Sequence, residues 1–276
     1  MRLLFCGDLV GRAGRDVVVE RLPGLRRDLG LDFVVANGEN AAGGFGITQK
    51  ICDELYAAGV DCVTTGNHVW DQKETVSFIG ADPRLLRPIN FPAGTPGKGA
   101  GIYQTPKGKK VLVANLMGRL FMDPLDDPFV QADTLLKTNR LGGNVDAILL
   151  DFHAEATSEK MAFAHFVDGR ASFVVGTHTH VPTADHVILA KGTAYQSDAG
   201  MCGDYDSVIG MEKSTPIARF TRKLPTERLS AATGPGTLCG VFVETEDATG
   251  LAKRIEPVRL GGRLSQYVPK MELAGT

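Results

Sequence analysis

Side chains that bind metals recur just beyond the ends of apolar runs in this sequence. Five such runs are each followed by Asp, Glu, Asn or His, and in four of the five a glycine would let the backbone turn tightly. The segments are Gly7-Asp8, Gly38-Glu39-Asn40, Gly66-Asn67-His68, Asp151-Phe152-His153 and Gly176-Thr177-His178-Thr179-His180. Carboxylates, amide oxygens and imidazoles together suit iron, manganese or zinc better than calcium or magnesium. Because these ligands are too many for one ion, the pattern predicts two ions about 3.5–4 Å apart.

Each of these residues also has an ordinary structural interpretation. An Asp after a strand is more often a turn or capping residue than a ligand. Asn67 could be a turn residue, and His153 could be a satisfied core histidine. Five such coincidences at five strand ends would be far rarer than one, so metal binding is favoured. His165, inside a predicted helix, and His186, at the start of a predicted strand, keep the structural interpretation.

Short apolar runs alternate with helical segments, a pattern typical of an α/β domain. In open α/β sheets, ligands bind beyond the carboxyl ends of the strands, where these polar residues lie. His178 and His180 are two residues apart and would face the same side of an extended chain. The predicted strands are LLFCGD, DFVVANGE, DCVTTGNH, KVLVANLMG, DAILLDFH and SFVVGTH. The predicted helices cover about residues 12–29, 48–58, 71–79 and 155–167, with Thr48 and Asp71 as N-caps.

The chain changes character after His180. The runs DHVILAKGTAYQSD, PIARFTRKL and GTLCGVFVETED are interpreted as β-rich, with no long helix among them. This pattern predicts a second sheet packed on the first, in a single domain covering residues 1–276. The stretch from Pro88 to Gly101 is rich in Pro and Gly and predicts a surface loop before a small hairpin, of a length that often shapes a site.

Composition and charge exclude several classes of protein. With 276 residues, 43% of them hydrophobic and 22% charged, the chain can bury a sizeable globular core. The formal net charge of -2 argues against a broad surface for duplex nucleic acid. No apolar stretch approaches the roughly 20 residues of a membrane span and no secretory signal is visible, so we expect a cytoplasmic protein. The five cysteines form no C-x-x-C pair and are expected to be reduced and non-catalytic.

The ordered set GD, GEN, GNH, H and GTHTH resembles the calcineurin-like metallophosphoesterases. Their usual pattern is Asp-x-His, Gly-Asp-x-x-Asp, Gly-Asn-His-Asp/Glu, a lone His and Gly-His-x-His, and the match runs from Asp8 to His180. Two positions depart from that pattern. Val10 replaces the usual second ligand of the first motif, and Glu39 replaces the bridging Asp, so that Asn40 could supply the missing ligand. The strings GDLVGRAGR, NGENAAGGFGIT, TTGNHVWD and GTHTHVPTAD are similar to the YmdB-like branch, bacterial cytoplasmic phosphodiesterases acting on 2′,3′-cyclic nucleotides.

The resemblance implies an α/β fold in which two β-sheets pack face to face with helices on the outside, a four-layer αββα metallophosphoesterase sandwich. His68 would stay off the metals and act as the proton donor. Iron is the expected metal, with manganese and zinc as alternatives. One ion would be held by Asp8, Glu39, Asn40 and His180, and the other by Glu39, Asn67, His153 and His178, with Glu39 as the bridge.

Other residues near these motifs are candidates for contact with a substrate. Arg12 and Arg15 could face a phosphate, with solvation on a helix surface as the alternative for at least one of them. Phe45, between glycines in GGFG, is a candidate lid or base-stacking residue, and it could equally pack down onto the protein. Asp71 could orient His68 or cap the next helix, and capping is favoured.

The predicted activity is hydrolysis of a 2′,3′-cyclic nucleotide to the 3′-nucleotide. A hydroxide activated between two metals would attack the phosphorus, and His68 would protonate the departing alkoxide. The alternatives are a phosphomonoesterase or protein phosphatase of the same superfamily, a regulatory RNA-binding protein, and a structural metal protein that unfolds without metal. The expected partners are a small nucleotide and RNA ends. We also expect a homo-oligomer and no membrane association.

Overall fold

Two six-stranded sheets form the centre of the structure, a computed structural model that describes residues 1–223 and 227–271. In chain order the strands are β1 (Arg2–Cys6), β2 (Asp8–Leu9), β3 (Phe33–Asn37), β4 (Cys62–Thr64), β5 (Leu85–Leu86), β6 (Ala100–Gln104), β7 (Lys110–Met117), β8 (Ala147–His153), β9 (Phe173–Thr177), β10 (Val187–Ile188), β11 (Ala194–Gln196), β12 (Met201–Cys202), β13 (Thr237–Thr245) and β14 (Ala252–Gly261). The helices are α1 (Gly11–Leu29), α2 (Gln49–Ala57), α3 (Thr75–Phe78), α4 (Pro128–Thr138), α5 (Thr157–Val167) and α6 (Ser214–Arg222).

Parallel pairing in both sheets brings several strand ends to one edge. The first sheet has the order β14-β13-β1-β3-β4-β5 and the second the order β10-β11-β9-β8-β7-β6. Strands β1, β3 and β4 are parallel to one another, as are β7, β8 and β9. The carboxyl ends of neighbouring parallel strands lie at the same edge, which is the usual place for a ligand. A separate parallel pair, β2 with β12, aligns Asp8 with Met201.

Alternate residues of the strands face different layers of the core. Phe5 of β1 and Phe173 of β9 belong to the cluster between the two sheets. The next residue of β1, Cys6, belongs to the layer beneath α1 and α2. Phe152 of β8 faces the other way and stacks on Phe163 of α5, with ring centroids 4.1 Å apart. The layers are therefore helix, sheet, sheet and helix, and the predicted αββα fold is confirmed.

Three of the four predicted helices are confirmed. Helices α1, α2 and α5 lie within a residue or two of their predicted bounds, and Thr48 caps α2 by accepting a hydrogen bond from the Ile51 amide. The helix predicted over residues 71–79 is wrong, because turns occupy most of it and only Thr75–Phe78 are helical. Asp71 is not its cap, since Glu74 occupies that position and the Asp71 carboxylate contacts a side chain instead.

The interpretation of PIARFTRKL as β-rich is also wrong, since its described residues lie mostly in α6; Leu224, within that run, lies outside the described residues. Ile217 and Phe220 are three residues apart, a helical spacing, and a proline is tolerated in the first helical turn. Helix α4 and strand β14 were not predicted. For α4 the signal was present, because Asp127 caps the helix and Pro128 occupies its first turn.

The predicted surface loop that begins at Pro88, and the small hairpin that follows it, are confirmed. Residues 88–99 form turns, and β6 then pairs antiparallel with β7. Arg87 holds the loop by donating hydrogen bonds to the carbonyl oxygens of Pro88, Thr95 and Pro96. All five cysteines are buried and free. None of the helices in the described ranges has the length and apolar character that a bilayer crossing requires.

Candidate metal centre

The predicted ligands meet at the shared edge of the two sheets. Glu39 follows β3, Asn67 follows β4, His153 ends β8 and His178 follows β9, while Asp8 opens β2, one intervening residue beyond the end of β1. Their ligand atoms form two groups in which all atoms lie within 4.8 Å of one another. The groups are Glu39 with His153 and His178, and Asp8 with Glu39 and His180. Glu39 belongs to both groups.

Lone pairs converge in the first group, which we call the His153 group. His153 Nε2 lies 3.3 Å from Glu39 Oε1, 2.9 Å from Asn67 Oδ1 and 3.1 Å from His178 Nδ1. His153 and Glu39 are fully buried, and the His178 side chain is 23% exposed. Carboxylate, amide oxygen and two imidazoles around one point form a ligand set that suits a borderline transition metal.

The second group, which we call the Asp8 group, contains an acceptor without a donor. Within the described parts of the chain, the buried Asp8 Oδ1 has no hydrogen-bond partner. An unsatisfied buried carboxylate oxygen is costly, and a cation would satisfy it. Asn40 Nδ2 donates to Glu39 Oε1 at 3.0 Å and lies 3.2 Å from His180 Nε2, so this side chain joins the same cluster. The residues present therefore fit a metal ion.

Each of the three imidazoles also bonds outward through its other ring nitrogen. An acceptor at that position keeps a proton there and leaves the inward nitrogen with a free lone pair, as in metal-ligating histidines. The outward pairs are His153 Nδ1 with Thr177 Oγ1 at 2.9 Å, His178 Nε2 with Glu155 Oε2 at 3.2 Å, and His180 Nδ1 with the Ile209 carbonyl oxygen at 2.8 Å.

Burial and neighbouring charges shift the pKa values of these groups strongly. Burial raises the pKa of Asp8 well above its usual value. Burial also opposes ionisation of Glu39, but His153 and His68 outweigh it and hold the Glu39 pKa at about 2. Burial lowers the pKa of His153, yet Glu39 and Asp8 together raise it to about 9. Burial, with the nearby His153, lowers the pKa of His178 to about 3. The cluster thus favours a protonated His153 beside an ionised Glu39.

The backbone approaches the ligands closely at Gly66. A Cβ atom there would collide with Glu39 Oε2 and His153 Nε2, so no larger residue fits. Gly66 does not have a positive φ, and close approach rather than the predicted tight turn explains this glycine. The positive φ angles fall instead on His178 (100°) and His180 (66°), where a side chain is disfavoured.

A buried ion pair holds the strained segment between these histidines. Thr179 donates to Asp198 Oδ2 from its amide at 3.0 Å and from its hydroxyl at 2.8 Å. Lys160 of α5 contacts the same carboxylate oxygen at 2.9 Å, and both charged side chains are at most 2% exposed. Breaking such a buried pair costs about 3–5 kcal/mol, which helps to hold the positive φ angles.

His68 lies beside the two groups of candidate ligands and belongs to neither. Its amide donates to Glu39 Oε2 at 3.1 Å, and its ring Nδ1 lies 2.8 Å from Asp71 Oδ2. The ring of Phe45 packs edge-on against it at 5.2 Å. Asp71 therefore orients His68, the role that was not favoured from the sequence. The His68 side chain is 30% exposed and can be reached from solvent.

The structure places the predicted substrate-contacting residues in different regions of the surface. Phe45 lies beside His68, whereas Arg12 lines a groove of about 440 Å³ that none of the predicted ligands lines. Arg15 pairs with Glu54 of α2 at 3.4 Å.

A cation that was not predicted lies near Phe45. It is the exposed Arg228, whose guanidinium is 5.7 Å from the centroid of the Phe45 ring. No sequence motif points to Arg228, which lies in an irregular stretch far along the chain. His165 and His186 are exposed and lie outside both groups.

Known proteins match nearly the whole chain. The family model described as YmdB-like protein matches residues 4–258. The 2′,3′-cyclic-nucleotide 2′-phosphodiesterase of Bacillus subtilis is 51% identical over 258 residues, which are 94% of this chain and 96% of that protein.

Two crystal structures have the same fold. A hypothetical protein from Thermus thermophilus is 45% identical with a TM-score of 0.88, over 95% of this chain and 100% of the other. A novel phosphatase from Mycoplasma pneumoniae is 34% identical with a TM-score of 0.88, over 95% and 93%. Both the family match and the identity extend over the segments that carry the candidate ligands, and this chain belongs to the YmdB-like protein family.

Proposed function

We propose that this protein is a metal-dependent phosphodiesterase that hydrolyses 2′,3′-cyclic nucleotides to 3′-nucleotides. The observation that carries the proposal is Glu39, a buried carboxylate shared by two groups of ligands at the edge of the sheets. The name of the Bacillus subtilis relative supports the substrate class.

We assign two metal ions to these groups. Glu39, Asn67, His153 and His178 would hold one ion, and Asp8, Glu39, Asn40 and His180 would hold the other. A half-turn of the Asn40 amide would present its oxygen where its nitrogen now faces Glu39 and His180. Iron is the metal we favour, with manganese or zinc as alternatives. Bound metals would lower the pKa of a water held between them and polarise the phosphoryl oxygens.

His68 is assigned as the proton donor to the departing alkoxide. Its Nδ1 contacts Asp71, which holds the ring in place and leaves Nε2 as the nitrogen that can give up a proton. His68 is close to Glu39 through its backbone and is open to solvent, so a substrate at the centre can reach it. A positioned general acid contributes about 10²–10⁴-fold to the rate.

The nucleoside is assigned to the side of His68 where Phe45 and Arg228 lie. Phe45 presents an aromatic surface, and Arg228 supplies a positive charge beside it. Arg12 is not assigned to the substrate, because the acidic side chains Asp16 and Glu20 of α1 line the same groove and no candidate metal ligand does.

The test is an assay of purified protein that has been stripped with a chelator and reloaded separately with Fe²⁺, Mn²⁺ or Zn²⁺. Hydrolysis of 2′,3′-cAMP should exceed that of 3′,5′-cAMP and p-nitrophenyl phosphate, and the stripped protein should be inactive. Loss of activity on both diesters with activity retained on the monoester would instead favour a phosphomonoesterase.

The stripped protein and an Asp8→Asn variant distinguish the proposed enzyme from a structural metal protein and from an RNA-binding protein, respectively. The extensive core clusters do not depend on a metal, so the stripped protein should stay folded, whereas a structural metal protein would unfold. Unchanged RNA binding by an Asp8→Asn variant that has lost hydrolysis would favour a regulatory RNA-binding protein. RNA ends as partners, a homo-oligomer and a cytoplasmic location stay predictions.

A further inference from the structure

A layer of buried polar residues lies directly beneath the metal-binding groups. The inner strands of both sheets contribute to it near their carboxyl ends, and every member is fully buried. Its members are Asn37 of β3, Thr64 of β4, Asn115 of β7, Asp151 of β8 and Thr177 of β9. None of these five side chains belongs to either group of candidate ligands, so metal binding does not explain why they are polar.

Asp151 is the hub of this layer. Its Oδ1 accepts from Thr177 Oγ1 at 2.7 Å, and its Oδ2 lies 2.5 Å from Thr64 Oγ1 and 3.1 Å from Asn37 Nδ2. Two hydroxyls and an amide give the carboxylate three donors, which is how a buried ionised carboxylate is satisfied. In each of these hydrogen bonds the Asp151 carboxylate is therefore the acceptor.

This direction determines where the proton of His153 lies. Thr177 has one hydroxyl proton, and it is given to Asp151, so Thr177 Oγ1 can only accept from His153 Nδ1 at 2.9 Å. Asp8 Oδ1 lies on the same side, 3.9 Å from that nitrogen. The proton of a neutral His153 is thereby held on Nδ1, and Nε2 presents its lone pair toward Glu39 and His178.

The same hub reaches the shared carboxylate. Asn37 donates to Asp151 from its amide nitrogen, and its oxygen accepts from the Glu39 amide at 3.1 Å. The segment that carries Glu39 and the ring of His153 are therefore tied to one buried group, although they come from different sheets.

We propose that Asp151 and Thr177 are positioning residues that fix the tautomer and orientation of His153, so that Nε2 is the atom that binds a metal. The proposal rests on the metal centre assigned under the proposed function. Hydrogen-bond partners of this kind typically contribute about 10–100-fold to metal affinity.

The test is a competition titration of Zn²⁺ against a chromogenic chelator, using metal-stripped protein and three variants. Thr177→Val keeps the shape of the side chain and removes the hydroxyl, and it should weaken one of the two Zn²⁺ sites about 10–100-fold. Thr177→Ser restores the hydroxyl and should bind both ions as the native protein does. Thr193→Val is the matched control, because that buried hydroxyl also makes two hydrogen bonds, to Gly169 and Ala171, and contacts no proposed ligand.

A folded Thr177→Val variant with both native Zn²⁺ affinities would overturn the proposal. If that variant does not fold, nitrogen NMR of Zn²⁺-loaded native protein labelled at histidine decides. A proton on His153 Nδ1 supports the proposed tautomer, and a proton on Nε2 contradicts it. Native protein that binds two Zn²⁺ ions and hydrolyses no cyclic nucleotide would refute the proposed substrate while leaving the Zn²⁺ result for Thr177 intact.

Discussion

The two ligand groups share Glu39 but are held by different kinds of structure. The His153 group is built on the ends of central strands, and a buried carboxylate lies beneath it. In the Asp8 group, His180 bonds to the backbone carbonyl of Ile209, and Asp8 has an oxygen with no donor among the described residues. The first group is thus fixed mainly by the sheets, whereas the second depends more on loops, and we expect it to gain more from a bound cation.

The largest effect is expected from removing the residue that the two groups share. Glu39→Gln should lose both metals and at least about 10³-fold in rate, because several kcal/mol of charge stabilisation disappear. Elemental analysis and initial rates check this, with Glu54→Gln on the surface of α2 as the control. Two metals retained by the Glu39 variant would show that this carboxylate is not the bridge.

Next in size are the variants that should separate the two groups. His178→Ala should lose the metal of the His153 group and His180→Ala that of the Asp8 group, each leaving one ion per chain. Metal content of protein purified without chelator measures this, and His186→Ala serves as an exposed control. If either variant loses both ions, the groups are not independent.

The pH dependence of metal binding should show what the two groups have in common. The pKa of His153 is raised to about 9, so below that pH its ring holds a proton that a metal must displace. Burial raises the pKa of Asp8 as well. The affinity of the His153 group for a metal should therefore rise about tenfold per pH unit up to about pH 9. The raised His153 pKa stabilises the metal-free fold below about pH 6.5, and this contribution is lost as the pH rises through 9. The Tm difference between loaded and stripped protein should therefore widen from about pH 6.5 to 9, and a constant difference would contradict this.

The smallest effect lies outside both groups. Arg228→Gln should raise KM for 2′,3′-cAMP by at most about fivefold without changing kcat, since exposed charges contribute little. Arg12→Gln should leave both constants unchanged. Steady-state kinetics on the loaded enzyme decides between the two arginines, and the reverse result would restore Arg12 as the substrate contact.

Much of this architecture could be predicted from the sequence because it is local. Apolar runs ending in Asp8, Glu39, His153 and His178 mark strand ends, and strand ends of parallel sheets meet. The family-model match and the solved structures confirm the predicted family and αββα fold, whereas the single domain and the metal roles of individual residues stay predictions.

Contacts between distant parts of the chain could not be predicted in this way. The Ile209 carbonyl that orients His180, and Arg228 beside Phe45, depend on how loops fold back over the sheets. Asp71 was misjudged because a carboxylate three residues after a histidine fits either a cap or a side-chain pair, and only the surrounding turns decide. The sequence does not reveal helix α6, because Ile217 and Phe220 are the only large apolar residues within its span and two residues are too few to establish a period.

The left-handed backbone at His178 and His180 has a consequence for how this protein can evolve. Such conformations cost a non-glycine residue roughly 1–2 kcal/mol, and asparagine tolerates them better. His180→Asn should therefore relieve local strain while removing a ligand of the Asp8 group, so folding stability and metal binding select for different residues at the same position. Selection for thermostability alone should replace these histidines with residues that tolerate a positive φ. If both histidines persist under that selection, activity is what maintains them.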